Sequence, residues 1–305
     1  MPVAPRHTAG MNKRILSALS LVFLFVVSVR ADEQRLFLWR IQSGKATAYL
    51  LGSIHVAKPA MYPLDAQIER AFGNSNVLVV EADASPDKAM AMAVKMMARA
   101  GYPPEDSMDK HVSKDTFEAL VARMAKDGMP AAQVKMLKPW FLASMMVLTE
   151  LQKLGIDPQN GLDLHFLSEA KGKPIVELES AEAQIDLLDG FTDKQQEEFL
   201  KYTLKDMDGL AKNVNEIIDA WSAGDAKKIE NYLLDPSKDS PEMQTLLVML
   251  FDERNAKMAV KIEELLKTDK TYFIVVGAGH LVGKKGLLQL LGKDHRVEQM
   301  TRFHR

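Results

Sequence analysis

The sequence contains no cysteine. That excludes disulfides, thiolate metal sites, a cysteine nucleophile and lipoprotein-type acylation in one step. Charge of either sign is not in excess: 39 Lys and Arg face 41 Asp and Glu, a formal net charge of −2. Nothing general therefore argues for a nucleic acid or an anionic membrane as partner. There is no Gly-x-Ser-x-Gly elbow, no His-Glu-x-x-His helix and no phosphate-cradling glycine loop, so serine-hydrolase, zincin and nucleotide-enzyme readings lose their usual signatures. Low-complexity tracts are absent, and 47% of the 305 residues are hydrophobic, enough for a substantial core.

Long apolar runs are scarce too. One lies at the N-terminus, where Lys13 and Arg14 precede Ile15 to Val29 and then Val29-Arg30-Ala31. A run of ~15 residues is short for a membrane span of about 20. The small residues at Val29 and Ala31 suit signal cleavage, so the segment 1–31 reads as a Sec signal peptide rather than an uncleaved anchor. The expected mature protein is one domain, 32–305, exported to the periplasm or secreted, with no stable membrane span.

Periodicity places strands at both ends. Leu36 to Ile41 and Thr47 to Gly52 flank Ser43-Gly44-Lys45, a hairpin signal. A helix with Leu64, Ile68 and Phe72 on one face follows Pro63, and Val77 to Val80 is a buried strand running into Glu81-Ala82-Asp83. This strand–helix–strand order predicts parallel strands. Helices are expected over Met90–Arg99, Lys114–Lys126 and Ala131–Lys153, the last interrupted by Pro139. Another begins at Gly161-Leu162-Asp163. Ile175 to Leu178 is a short strand, and 181–266 reads as helices alone. Strands return at Tyr272 to Val276 and Val297 to Met300, with a helix over Lys284–Leu291 between them. The fold class is α/β: a central, mixed, largely parallel sheet built from both ends of the chain, with a helical insertion over about 86–266.

One device occurs twice. Ala48-Tyr49-Leu50-Leu51-Gly52-Ser53-Ile54-His55 and Phe273-Ile274-Val275-Val276-Gly277-Ala278-Gly279-His280 are both apolar strands ending in Gly-x-x-His. Glycine at a strand end permits a tight turn, and the histidine three residues on projects from that turn. In open α/β sheets the crevice beyond the strand C-termini is the usual ligand site. His55, His280 and Glu81 form a sufficient set for a catalytic divalent ion, with Glu81 as ligand or as base. Arg254 offers a bidentate fork for Glu81, for a substrate carboxylate or for an oxyanion; a salt bridge to Glu253 or Asp252 is the plainer alternative. His111, His165, His295 and His304 read as peripheral or packing residues, and the cluster Met90, Met92, Met96, Met97 as flexible helix packing. Trp140 and Trp221 either pack in the core or line a groove.

In order along the chain, Leu51-Gly52-Ser53-Ile54-His55, Val79-Val80-Glu81-Ala82-Asp83, Gly161-Leu162-Asp163, Lys173-Pro174-Ile175 through Leu178-Glu179, Glu253-Arg254-Asn255 and Val276-Gly277-Ala278-Gly279-His280 resemble the TraB/GumN family. The resemblance spans about 36–300. It implies a fold shared with erythromycin-esterase-like and haem-binding ChaN-like proteins. It also implies an active region like that of the Tiki metal-dependent proteases, where manganese or cobalt is favoured; zinc is the third ion considered. Carried over, His55, Glu81 and His280 are metal ligands, with Glu81, Arg254 and Asn255 catalytic. Asp163 matches the Gly-x-Asp position and, with Ser53, faces a peptide or small-molecule substrate. The alternatives are a haem or small-ligand binding protein and an envelope regulatory or interaction protein on the same scaffold.

Overall fold

The computed structural model describes residues 34–54, 57–234 and 240–302, all within one compact unit that begins at Gln34. The proposed signal segment, His55, Pro236 and His304 lie outside the described residues.

Six strands form one sheet: β1 (Arg35–Ser43), β2 (Ala46–Ser53), β3 (Val77–Val80), β4 (Ile175–Glu177), β5 (Thr271–Gly277) and β6 (Val297–Thr301), in the order β4-β3-β5-β2-β1-β6. The hairpin between β1 and β2 closes with a two-residue turn, Gly44–Lys45, and pairs the two strands antiparallel from Leu38↔Leu51 to Ser43↔Ala46. β2, β3, β4 and β5 are mutually parallel, and β6 is antiparallel to β1. The sheet is thus mixed and mostly parallel, and both ends of the chain meet in it.

β2 and β3 are parallel, as their βαβ spacing predicts, but they are not neighbours. β5, made almost 200 residues after β3, lies between them and bonds to both. Its Tyr272 to Gly277 are all buried, as a central parallel strand covered on both faces requires. One face is covered by the helices Ala66–Gly73 and Leu162–Glu169. Phe72, Phe166 and Phe273 meet there with ring centroids 4.7–5.4 Å apart. Burial of such rings is worth ~2–3 kcal/mol each, and this cluster seats the helix that carries Asp163.

The middle of the chain is helical except for β4. That short strand returns to the sheet edge and pairs with β3 at Leu78↔Ile175, Val79↔Val176 and Val80↔Glu177. The helix expected over Ala131–Lys153 is two helices, Ala131–Met136 and Pro139–Lys153, because Pro139 cannot continue the first and suits the opening turn of the second. The helix expected from Lys284 is shorter, Leu287–Leu291. It starts late because Gly283 adopts a φ of +89°, which ends the preceding turn.

The methionine cluster corrects one expectation. Met90 and Met97 lie on the outer face of the helix Pro86–Ala100, 70% and 61% exposed, with Val94 between them. This helix packs by its other side, where Lys95 and Arg99 reach Glu182 and Asp186 on Ala181–Asp189. Lys95 and Arg99 supply the ion pairs of that contact, and Met92 and Met96, unlike Met90 and Met97, are half-buried. No helix among the described residues is long and apolar enough to cross a membrane.

Candidate functional site

The doubled motif is built from adjacent strands. β2 and β5 pair in parallel register, Gly52↔Val276 and Ser53↔Gly277, so the two motifs begin in adjacent strands, offset by one residue. At both, the lack of a side chain is required by close approach. A Cβ on Gly52 would collide with the Phe37 ring, and one on Gly279 would stand 2.7 Å from Phe251. Trp221, on the helix Leu210–Ser222, donates its indole N–H to the Gly52 carbonyl at 2.6 Å. That bond ties the helical middle to the first motif. It settles the role of Trp221, while Trp140 is fully buried and donates to Asp189.

After β5 the chain turns at once into Ala278–Leu281, a single helical turn carrying His280. His280 is 4% exposed and packs against the Phe251 ring at 5.1 Å between centroids. Its Nδ1 lies 2.6 Å from Asn255 Oδ1, and Asn255 Nδ2 donates to the Lys285 carbonyl at 3.0 Å. The second bond fixes the amide, so Oδ1 is the acceptor and the ring proton sits on Nδ1. A neutral His280 therefore turns the lone pair of Nε2 toward Glu81, whose Oε2 is 3.7 Å away.

Asn255 comes from the helix Glu253–Leu266, whose buried stripe is Asn255, Met258, Ile262 and Leu266. The amide thus occupies the first position of a core-facing face, 1% exposed. A π-helical turn, Val248–Asp252, precedes this helix. Such turns loosen the usual i→i−4 ladder, and here Arg254 Nη1 takes the Leu250 carbonyl at 2.9 Å.

Glu81 and Glu179 emerge side by side, because β3 and β4 run in parallel and end together. Leu178 N–H donates to the Val80 carbonyl and Glu179 N–H to the Glu81 carbonyl, at 2.8 and 2.7 Å. Glu81 Oε1 accepts the Gly277 backbone N–H at 2.5 Å. Arg254 lies across both carboxylates. Its Nε donates to both oxygens of Glu179 at 3.0 Å, and its Nη2 donates to Glu179 Oε2 at 2.7 Å and Glu81 Oε2 at 3.0 Å. Gln184 Nε2 reaches one oxygen of each at 3.4 and 3.3 Å. All three side chains of the triad are largely buried. Burial alone would raise the Glu179 carboxyl, but the Arg254 hydrogen bonds and charge outweigh it and hold it below its ordinary value; the same partners hold the Arg254 guanidinium above its own. Arg254 thus touches Glu81, one of its expected partners. All three of its nitrogens are engaged, and its position is that of a brace for Glu81.

On the other flank, Ser53 Oγ donates to Asp163 Oδ1 at 2.8 Å. Ser53 is level with Gly277 in the sheet, so this pair borders the same strand ends. Tyr62 stands beside it, with its hydroxyl on the Asn160 carbonyl at 2.7 Å. Burial and the nearby charges of Asp163 and Glu69 push the Tyr62 phenol up to about 12. His165 packs on Tyr62 and Phe166. His111 and His295 pair with carboxylates elsewhere.

The structure therefore brings together Glu81, Arg254, Asn255 and His280, and places Ser53 and Asp163 alongside. Among the described residues no group of three His, Asp or Glu is arranged to hold a metal ion, and His55 is not among them. The donors that are described suit such an ion: a carboxylate oxygen facing a histidine whose other nitrogen is hydrogen-bonded to an amide, a common arrangement around metal-ligating imidazoles. Glu179 was not singled out from the sequence as a site residue. Its signal was there: Val77 to Val80 runs into Glu81, and Ile175 to Leu178 runs into Glu179, a second doubled pattern.

The profile described as the TraB/PrgY/gumN family matches residues 37–299, which include all of these positions. The uncharacterized protein YbaP of Shigella flexneri is 28% identical over 250 residues, covering 81% of this chain and 89% of that protein. YbaP of Escherichia coli K12 gives the same identity and coverage. No solved structure matches.

Proposed function

The chain belongs to the TraB/PrgY/gumN family, and from that premise we propose that it is a metal-dependent hydrolase acting on peptide or ester-like bonds, with His280, Glu81 and His55 as ligands of one divalent ion. The observation that carries this reading is the facing pair His280 Nε2 and Glu81 Oε2, 3.7 Å apart, with the ring proton held on Nδ1 by Asn255. Two ligand atoms each about 2.0–2.2 Å from one ion lie roughly 3–3.6 Å apart, so the pair needs little movement to share one. The ion is manganese, cobalt or zinc; when bound it acidifies a water and polarises a carbonyl.

The chain's own contribution is positional. Asn255 selects the Nδ1–H tautomer of a neutral His280, and Arg254 with the Gly277 N–H aims Glu81. With Oε1 on the backbone and Oε2 toward His280, Glu81 suits the ligand role better than that of base. Ser53 and Asp163, at the adjoining strand end, face the substrate. The buried, amide-locked His280 supports an ion rather than a haem as occupant, since a haem iron needs an imidazole open to a large flat ligand. The N-terminal segment 1–31 directs export, to the periplasm or beyond.

The test is Mn2+ titration of chelator-treated protein, with wild type beside His280→Ala, His55→Ala and Glu81→Gln. One ion per chain is expected in wild type, at least a hundredfold weaker binding in each variant, and metal-restored cleavage of a peptide and ester panel. Equal binding by wild type and variants sinks the reading. Export predicts a mature N-terminus at Asp32, read by terminal sequencing of protein from the envelope fraction.

A further inference from the structure

The Nε–Nη2 edge of Arg254 is the edge that grips a carboxylate with two parallel N–H bonds. That edge is taken by Glu179: Nε at 3.0 Å from both oxygens and Nη2 at 2.7 Å from Oε2. Glu81 receives a single lateral bond from Nη2 at 3.0 Å. Because it is held at one oxygen by Arg254, its other oxygen keeps the Gly277 N–H, and Oε2 still points past the guanidinium toward His280. Gln184 Nε2 donates to one oxygen of each carboxylate and so bridges them.

The consequence of losing Glu179 follows from this geometry. The guanidinium edge would be vacant, and Glu81 is the carboxylate within reach. A two-bond pair between Glu81 and Arg254 would take both Glu81 oxygens, release the Gly277 N–H and turn Oε2 away from His280.

We infer that Glu179 is a positioning residue: by occupying the bidentate edge of Arg254 it keeps Glu81 singly bonded, anchored on Gly277 and facing His280. This rests on the proposal that Glu81 and His280 share an ion, and it adds a specific partner whose charge sets the first ligand's orientation. It also accounts for two buried acids beside one buried base, an arrangement that a purely structural ion pair does not require.

The experiment uses the full mature chain and Mn2+ alone as probe. Glu179→Gln is expected to weaken Mn2+ binding by about tenfold or more, within the range typical of residues that orient a metal ligand. Glu179→Asp should recover most of that loss. The discriminating variant is the double substitution Glu179→Gln with Arg254→Gln. With no guanidinium to capture Glu81, it should bind Mn2+ more tightly than Glu179→Gln alone; a merely structural role predicts that the second lesion weakens binding further, and that result overturns the inference. If wild type binds no Mn2+, the hydrolase reading fails. Crystal structures of wild type and Glu179→Gln then decide the matter: Glu81 found doubly bonded to Arg254 and off the Gly277 N–H sustains the positioning role, and an unmoved Glu81 removes it. Thermal melts of each variant confirm that the chain is folded.

Discussion

Arg123 and Arg254 each bind two carboxylates, one in the helical middle and one at the strand ends. Arg123 bonds Asp127 at 2.6 Å and Glu150 at 2.8 Å, and so joins the helices Lys114–Ala125 and Pro139–Lys153. Lys153 adds a second cation, in contact with both acids. The charges balance, two against two, and the cluster closes on itself. Arg254 faces Glu81 and Glu179 with no second Lys or Arg in those contacts. Its acids exceed its bases by one, and the surplus is turned toward a histidine. A balanced cluster is a clasp between helices; an unbalanced buried one stores a preference for a further positive charge, the electrostatic signature expected of a site rather than a strut.

The comparison is most easily broken by removing the arginines. Arg254→Ala strands two largely buried carboxylates and should cost about 3–5 kcal/mol in denaturant unfolding. Arg123→Ala leaves Lys153 beside both acids and should cost less, about 1–3 kcal/mol. Equal losses would erase the distinction. Asn255→Leu comes next: it orphans the His280 Nδ1–H and the Lys285 carbonyl, at about 1–3 kcal/mol, and should also weaken Mn2+ binding, whereas Asn213, bonded to Asp206, should leave ion binding unchanged when changed to Ala. Gly279→Ala drives a methyl group into Phe251 and should destabilise by about 1–3 kcal/mol, read as a lowered melting temperature.

Two smaller effects are read by pH. Glu179 titrates below its ordinary value of 4.5 in the folded protein, so its stabilisation is complete above 4.5 and disappears as pH falls through the depressed native value. The stability gap between wild type and Glu179→Gln should therefore close on acidification. His111 supplies the opposite sign. Its ring lies between Asp193 at 3.0 Å and Asp106 at 2.8 Å. The hydrogen bond to Asp193, with help from Asp106, raises it above its ordinary 6.5 despite some burial. Its contribution is full below 6.5 and is lost as pH rises through the raised native value, so His111→Gln should lower the melting temperature more at pH 6 than at pH 9. The effect is below about 1 kcal/mol, because the ion pairs are near the surface.

Much of this was legible in the chain itself. Apolar runs marked β1, β2, β3 and β5, and the repeated Gly-x-x-His pointed to paired strand ends that prove to be hydrogen-bonded neighbours. Strand order was not legible, because the spacing of β2 and β3 sets their direction but not what lies between them. The partner of Arg254 was legible only halfway. Glu81 stood out beside a four-residue aliphatic strand, whereas Glu179 followed a run already interrupted by Glu177. The exposed methionines misled for a related reason: hydrophobic identity says nothing of which side of Pro86–Ala100 finds a neighbour, and the lysine and arginine side chains had the stronger partners.

The placement of β5 has a consequence in time. The strand at the middle of the sheet is made almost 200 residues after β3, and Gly277, its final residue, supplies the N–H that anchors Glu81. Until it arrives, β2 and β3 have no common neighbour and the acids have no histidine to face. Pairings this distant along the chain form slowly, since a long loop must close before any contact rewards it. A chain that ends before β5 lacks both the Gly277 N–H and His280, so this arrangement cannot form without it.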